Sequence, residues 1–465
     1  GRLTDAARLY VVQRATGDPT ATPSLQRTAW KILNGNRDEH VRAAADPTVR
    51  RVVTAYILAG GGSFRWSHLK ELPERWLDAV EAAKVPIARD ADRLAWAAYN
   101  TGQMDLAERW VRLAPAQLMA RWIRSKLLLR KGKVPEAMAE LAIVVRSVPV
   151  EDDVPMGHTN FCWEGHQLSL WNEPLPERVR GELGTLKLSR NDYLGALDLF
   201  MMGGYWDDAA YVAECVLTPD ELIAVVNARW PEREEPKPPV MTRSGWWRRA
   251  TPNPYIRHLL ARRLTRTGRT REARRYFPSK WRPRLDAYVD ALRQADDARL
   301  DDAERAKHLW RAACITRYEG MELLGTELGP DDFVSGGAFP ARTPGWVALP
   351  ESDAFFTDRR RLLRMTRDQL FRERRHRVTP YQRFHYRYLA CERAWRAAEM
   401  MPDDSDATAR VLCIAGSWMK GRDPLYADRF YKALVLRCRG TELGREADRI
   451  RWFPKIAVDR RKLPE

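Results

Sequence analysis

The sequence predicts an all-α protein, an α-solenoid built from degenerate helical hairpins, and three observations lead to that prediction. Apolar residues recur three and four positions apart along most of the chain, as they do on one face of a helix. Alternation of the strand type, bounded by turn residues, is hard to find. A short pattern of helix, turn and second helix also recurs, which is typical of repeat architectures.

The composition sets the scale of the molecule. The 465 residues are enough for about three domains or one extended repeat array. Hydrophobic residues make up 45% of the chain, which excludes wholesale disorder. The longest uncharged run, residues 52–64, has 13 residues, whereas a membrane-spanning helix needs about 20 apolar residues. The sequence therefore predicts no membrane-spanning helix.

The net charge of +17 indicates the kinds of partner that the chain could bind. An excess of this size suits nucleic acid, an anionic membrane surface or an acidic protein. The alternative is a generally basic surface without a particular partner.

The six cysteines and the first residue bear on the cellular compartment. No two cysteines lie within four residues of each other, which excludes a Cys-x-x-Cys zinc knuckle, a redox dithiol and a c-type haem site. An even number permits three disulfides, and buried free thiols are the alternative. The chain begins at Gly1, which favours a cleaved export signal. We therefore expect a periplasmic or otherwise exported protein, with a cytoplasmic one as the alternative.

The first elements of the chain are predicted helices separated by glycine and proline. They cover residues 30–33, 49–58 and 74–83. The stretch Gly60-Gly61-Gly62-Ser63 is a break between helices, because a phosphate-binding loop would continue with Gly-Lys-Ser/Thr.

The recurring pattern places a turn residue five positions before an alanine. Two antiparallel helices joined tightly need a residue that tolerates left-handed backbone at the turn. They also need a small side chain one turn into the second helix, so that the two axes can approach closely. The pairs are Gly102/Ala107, Gly132/Ala137, Asn191/Ala196, Gly204/Ala209, Gly268/Ala273 and Arg422/Ala427.

This pattern resembles the tetratricopeptide repeat family. The resemblance is good over residues 92–149, fair over 180–275 and weak over 385–436, and the spacing of the copies is irregular. Residues 184–226 also resemble uncharacterised repeat proteins from bacteria. The resemblance implies stacked hairpins, each of which buries its apolar faces against the next one. It also implies an extended surface that binds other proteins.

Two irregular segments divide the predicted helical blocks. Residues 228–254 are rich in proline and charge, and they form a predicted linker or loop between a block at 1–227 and a block at 255–465. Residues 318–356 are rich in glycine, proline and aromatic residues, which predicts a long ordered insertion with a role in partner or ligand contact.

The run from Asp358 to Arg387 is the strongest charge feature. It holds eleven arginines against three acidic residues, a net charge of +8, and aromatic residues are interleaved with them. Arginine beside aromatic rings suits phosphate contact with base stacking, and it equally suits a protein interface. The alternative is a solvated helix whose apolar stripe, including Leu370 and Phe371, faces the core. The candidate partner-binding residues here are Arg359, Arg360, Arg361, Arg374 and Arg375.

Eighteen tryptophans are many for this length, and two groups of them differ in context. Five lie at helix-packing positions and are predicted core residues: Trp30, Trp96, Trp110, Trp122 and Trp395. The pair Trp246-Trp247 precedes Arg248-Arg249 within the predicted linker, a composition typical of an interface anchor. These four residues complete the predicted partner-binding set, with burial against a helical block as the alternative.

Candidate chemical sites are weak. His158, Cys162 and His166 have metal-ligand spacing, but Gly157 and Gly165 disfavour the helix that would align them. Glu351-Ser352 resembles the Glu-Ser pair of lytic transglycosylases, whose glutamate is a general acid, but the Gly-Leu-Met-Gln that follows in that family is absent. We therefore predict no catalytic, cofactor-binding or metal-binding residues and no small-molecule substrate.

These features together favour a non-catalytic protein-binding scaffold or assembly subunit of a larger bacterial complex. A nucleic-acid-binding helical protein that uses the arginine run is the second hypothesis. A cell-wall lytic enzyme that uses Glu351 is the third.

Overall fold

The described part of the chain is helical almost throughout. The computed structural model describes residues 2–59, 71–87, 89–147, 175–232, 240–241, 247–248, 253–337 and 365–456. Twenty-two α-helices and one two-residue antiparallel ladder occur in these ranges, the ladder pairing Val240 with Arg248 and Met241 with Trp247. The all-α class is therefore confirmed. No helix within these ranges is long and apolar enough to span a bilayer.

The chain divides into two compact units, the first of which ends at Tyr205. Its helices are α1 Arg2–Ala15, α2 Ala21–Leu33, α3 Arg37–Ala45, α4 Pro47–Ala59, α5 Glu71–Ala82, α6 Ala91–Thr101, α7 Met104–Leu113, α8 Leu118–Arg130, α9 Val134–Ser147, α10 Leu175–Leu188 and α11 Tyr193–Met202.

The second unit begins at Trp206. Its α-helices are α12 Trp206–Tyr211, α13 Pro219–Arg229, α14 Asn253–Arg266, α15 Thr270–Ala273, α16 Arg282–Ala295, α17 Asp302–Leu324, α18 Arg367–His376, α19 His385–Glu399, α20 Asp406–Met419, α21 Pro424–Arg437 and α22 Glu442–Ile450. A π-helical segment, Val212–Val216, continues directly from α12.

The predicted linker at 228–254 and the predicted insertion at 318–356 both overlap helices of the second unit. The units divide between Tyr205 and Trp206, which is earlier than the predicted linker at 228–254. That linker begins within the last turn of α13 and ends at the start of α14, and it contains the two-residue ladder. Helix α17 continues to Leu324, so irregular backbone begins at Gly325 rather than at residue 318 as predicted. Residues 338–356 of the predicted insertion lie outside the described ranges.

Five of the six predicted turns share one backbone geometry. Their turn residues have φ between 64° and 90°, in the left-handed region: Gly102, Gly132, Asn191, Gly204 and Gly268. In each case the next residue donates its N–H to the carbonyl five residues back, as Gln103 does to Ala98 at 2.9 Å. This is the bond pattern that ends a helix and reverses the chain within two residues. The glycines and asparagine are needed because other side chains resist this backbone conformation.

The sixth predicted turn is built differently. The backbone N–H groups of Arg422 and Asp423 both donate to the carbonyl of Met419, at 2.9 and 2.8 Å. The Asp423 carboxylate then accepts the N–H of Tyr426 at 3.0 Å and caps α21. This turn therefore has no left-handed turn residue, and the side chain of Asp423 caps the helix that follows it.

The alanine of every pair is fully buried, and in five of the six pairs the two flanking helices pack on each other. The six residues are Ala107, Ala137, Ala196, Ala209, Ala273 and Ala427. Helix α6 packs on α7, α8 on α9, α10 on α11, α14 on α15 and α20 on α21. A larger side chain at these positions would have to displace the facing helix.

We expect Ala137→Leu to lower the free energy of unfolding by about 1–3 kcal/mol, because three extra carbons must enter the packed seam between α8 and α9. Ala139 lies on the same helix and is exposed, so Ala139→Leu is a matched control that should leave stability nearly unchanged. Denaturant titration of the full chain measures both variants. Equal stability of the two would contradict a close contact between these helices.

The five tryptophans predicted to pack in cores do so. Trp110 and Trp122 are buried in the core of the first unit, and Trp30 and Trp96 are half-buried against it. Trp96 and Trp122 meet edge to face with their ring centroids 5.8 Å apart. Trp395 packs against the apolar core formed by α19 to α22 in the second unit.

The second unit also buries charged residues. Arg262 on α14 and Glu327 are 1% and 2% exposed and form an ion pair. The Trp206 indole N–H donates to the same carboxylate at 2.7 Å. The Arg262 guanidinium carbon lies 3.6 Å from the centroid of the Phe333 ring. A buried charge is tolerated only when it is paired and hydrogen-bonded, and these contacts meet that requirement.

Candidate partner-binding surface

The candidate surface lies on α18, which packs against the π-helical segment Val212–Val216 and the residues that flank it. We call residues 211–221 the platform. Arg263 on α14 is buried and donates to the carbonyls of Ala213, at 2.6 Å, and Leu217. Arg266, one turn later on α14, pairs with the buried carboxylate of Glu214. Leu217 donates its N–H to the carbonyl of Val212, five residues back, so the carbonyl of Ala213 is available to Arg263. The two arginines thus fix the segment in place.

Helix α18 docks on this platform through polar side chains. The Gln369 amide donates to the hydroxyl of Tyr211 at 3.0 Å, and Arg372 pairs with Glu221 at 2.8 Å. Nδ1 of His376 lies 3.0 Å from the carbonyl oxygen of Cys215. Positions 369, 372 and 376 share one helix face, so two hydrogen bonds and an ion pair hold that face of α18 against residues 211–221.

The platform offers no reactive thiolate. Burial, reinforced by the charge of Glu214, raises the pKa of Cys215 to about 12. Burial also raises the pKa of Tyr211 to about 12. Burial, reinforced by the charge of Arg263, lowers the pKa of His376. At neutral pH these three groups are therefore uncharged, which suits a docking role and not nucleophilic chemistry.

The opposite face of α18 is apolar and basic, and it is exposed. Phe371 is 61% exposed and Leu370 is 38% exposed. Arg374 follows them on the same face, and Arg374 and Arg375 are both exposed. A helix that packs on the surface of a globular domain ordinarily buries its phenylalanine and leucine side chains and exposes its polar ones. Helix α18 does the reverse, and we name Leu370, Phe371, Arg374 and Arg375 the outer face of α18.

The arginines of α18 differ in whether they have carboxylate partners. Arg372 pairs with Glu221 and Asp368, and Arg377, just after the helix, pairs with Glu373 at 2.6 Å. Within the described ranges, Arg374 and Arg375 have no carboxylate at ion-pair distance. The outer face thus carries positive charge that is not neutralised locally.

The structure describes four of the nine predicted partner-binding residues. Arg374 and Arg375 lie together on the outer face of α18. The backbones of Trp247 and Arg248 form one strand of the two-residue ladder. The remaining predicted residues lie outside the described ranges: Trp246, Arg249, Arg359, Arg360 and Arg361.

The alternative in which Leu370 and Phe371 form a core stripe is wrong, because both are exposed. The sequence gives little sign of this reversal, since Gln369, Arg372 and His376 are ordinary surface residues by type. Their docking role depends on a hydroxyl, a carboxylate and a carbonyl group that lie about 150 to 160 residues earlier in the chain.

The structure does not describe the residues that the sequence suggests as metal ligands or as a general acid. His158, Cys162, His166 and Glu351 all lie outside the described ranges. Among the residues that the structure does describe, no group of three or more His, Cys, Asp or Glu side chains is placed to hold a metal ion.

Comparison with protein-family models, with curated proteins and with solved structures finds no match to this chain. Any functional conclusion therefore rests on the geometry and charge described above.

Proposed function

We propose that this protein is a non-catalytic, protein-binding scaffold or assembly subunit of a larger complex, and that the outer face of α18 is one of its contact surfaces. The observation that carries the proposal is the inverted amphipathicity of α18, which exposes Phe371 and Leu370 and docks Gln369 and Arg372. Exposed apolar side chains beside arginine have the composition of an interface core, where aromatic residues and arginine are enriched.

The charge of this surface defines the partner's chemistry. Arg374 and Arg375 have no carboxylate partner within the described ranges, so their charge is available to another molecule. A complementary protein surface would present acidic residues around a pocket for an aromatic ring. The proposed partner is therefore an acidic protein, with Phe371 as the apolar anchor.

The fold is consistent with a scaffold. Five left-handed turns, each followed five residues later by a fully buried alanine, support the reading of the chain as degenerate tetratricopeptide-like hairpins. Such hairpins stack because one hairpin cannot bury its own apolar faces. Arrays of this type present long surfaces for other proteins.

The test compares partner capture by two triple variants. Phe371→Ala/Arg374→Gln/Arg375→Gln removes the outer face of α18. Leu436→Ala/Arg410→Gln/Arg439→Gln removes one exposed apolar side chain and two exposed arginines on and around α20 and α21, where Leu436 is 62% exposed. Each tagged full chain is purified from cells of its own organism, and the co-purifying proteins are identified by mass spectrometry. A captured acidic protein is then reconstituted with the pure chain.

We expect the pure acidic partner to bind the unaltered chain and the control variant equally, and the α18 variant at least about 30-fold more weakly. Equal binding by both variants would refute the role of α18. If the chain instead binds oligonucleotides, with an affinity that falls steeply with salt and is lost in the α18 variant, the partner class is wrong.

A further inference from the structure

Three arginines surround one aromatic ring in the second unit. The guanidinium carbons of Arg383, Arg387 and Arg422 lie 4.8, 4.2 and 4.5 Å from the centroid of the Phe384 ring. Such contacts between cation and ring are favourable, but they leave the positive charge in place. Several cations are therefore concentrated within one small volume.

A fourth arginine extends this cluster from α17. Burial, reinforced by the charge of Arg387, lowers the pKa of Arg317. Burial, reinforced by the charges of Arg387 and Arg383, lowers the pKa of Arg422. Arg387 thus interacts as a like charge with both Arg317 and Arg422, and Arg383 does so with Arg422. We call these four arginines the Phe384 cluster.

The carboxylates near the Phe384 cluster are committed to other groups. Asp423 accepts from the Tyr388 hydroxyl at 3.1 Å and caps α21. Asp331 is buried and accepts from the side chain and backbone of His385. Glu392 accepts from Tyr426 and Arg429. In the described part of the chain, no carboxylate forms an ion pair with Arg317, Arg387 or Arg422.

Two donors in the Phe384 cluster lack an acceptor. The Nε atoms of Arg317 and Arg387 are buried and have no hydrogen-bond partner within the described ranges. A buried donor without an acceptor costs free energy, and arginine N–H groups are ordinarily satisfied. An external acceptor with several oxygens would remove this cost.

The backbone at the centre of the Phe384 cluster is strained and firmly held. Phe384 has φ 58°, in the left-handed region that aromatic residues rarely adopt. A Cβ atom on Gly337 would lie 2.9 Å from the Phe384 ring, so that ring packs directly against backbone. Strain of this kind persists where the surroundings impose it, and it is enriched at binding sites.

We propose that the Phe384 cluster binds a phosphate group, either free or as the terminal group of an organic monoester. Arg422 is exposed and provides access from solvent, while Arg317 and Arg387 supply donors from within. A phosphate carries about −1.5 to −2 charge at neutral pH and three acceptor oxygens, which matches several converging guanidinium groups better than a single carboxylate does. None of the four arginines of this site belongs to the outer face of α18.

Isothermal titration of the full chain at constant ionic strength tests the proposal, with inorganic phosphate, phosphoserine and acetate as probes. We expect both phosphate probes to bind more tightly than acetate. Tighter binding of inorganic phosphate identifies the free ion as the ligand, and tighter binding of phosphoserine identifies a monoester. Absence of phosphate binding, or equal affinity for acetate and phosphate, would overturn the assignment.

Variants then locate the phosphate. Arg422→Gln should weaken phosphate binding about tenfold, through loss of one charge-assisted contact, and Arg387→Gln/Arg422→Gln should weaken it further. Because Arg422 is exposed, the single variant keeps the fold and serves as the test if the double variant unfolds. Arg374→Gln/Arg375→Gln is the matched control and should bind phosphate unchanged. Unchanged binding in Arg422→Gln and a loss in the control would place the phosphate elsewhere.

Discussion

Replacing Arg262 with methionine should lower the free energy of unfolding of the second unit by about 3–5 kcal/mol, because Glu327 would remain as an uncompensated buried charge. The Trp206 indole would be left as the side-chain donor to that carboxylate. Denaturant titration and hydrogen exchange over α14 and residues 325–337 measure the loss.

The double variant Arg262→Met/Glu327→Leu shows how much of the lost stability comes from the missing ion pair and how much from the unpaired buried carboxylate of Glu327. It should recover most of the stability, since a buried ion pair replaced by apolar residues of similar size is often neutral or stabilising. Arg274→Met is the matched control, because Arg274 forms an exposed pair with Asp286 at 2.8 Å, and such pairs contribute little. If Arg262→Met is no more harmful than Arg274→Met, the network is not a structural requirement of the second unit.

The local features of the fold could be predicted from the sequence because they depend on few residues. A glycine or asparagine followed five positions later by alanine specifies a left-handed turn and a close helix contact. Five of the six predicted pairs have this geometry, among them Gly132/Ala137 and Asn191/Ala196. The exception is Arg422/Ala427, where the turn residue is not one suited to left-handed backbone, and the N–H groups of Arg422 and Asp423 both donate to the carbonyl of Met419.

The buried charges could not be predicted in the same way. Arg262, Arg263 and Arg266 have the sequence character of a solvated helix face, and their acceptors lie about 50 to 65 residues away along the chain. Residue type alone does not show that Glu214 and Glu327 lie beside them. Only the tertiary arrangement makes burial of these arginines tolerable.

The orientation of α18 could not be predicted from the sequence either. Its apolar and polar residues predict a helix, but hydropathy directs Phe371 inwards. The polar contacts of Gln369, Arg372 and His376 prevail because each side chain finds a partner on the facing elements: a hydroxyl, a carboxylate and a carbonyl group, respectively. The prediction of Arg374 and Arg375 as partner-binding residues remains a proposal, and their exposure is what supports it.

Within the proposed partner contact, Phe371 and the two arginines should have separable effects on binding kinetics. Phe371→Ala should weaken binding about 30-fold or more, mainly through faster dissociation, since a buried aromatic anchor stabilises the formed complex. Arg374→Gln/Arg375→Gln should mainly slow association and flatten its dependence on salt, since unpaired surface charges steer the encounter. Surface plasmon resonance with the reconstituted acidic partner, at low and at physiological salt, measures both rates.

Leu436→Ala provides the control for the apolar change, because Leu436 is 62% exposed and Phe371 is 61% exposed. It should leave both rate constants unchanged. If instead Phe371→Ala changes only the association rate, the phenylalanine is not buried in the complex and the anchor role is wrong. If the arginine variant keeps the full salt dependence, the charge that attracts the partner lies on another part of the molecule.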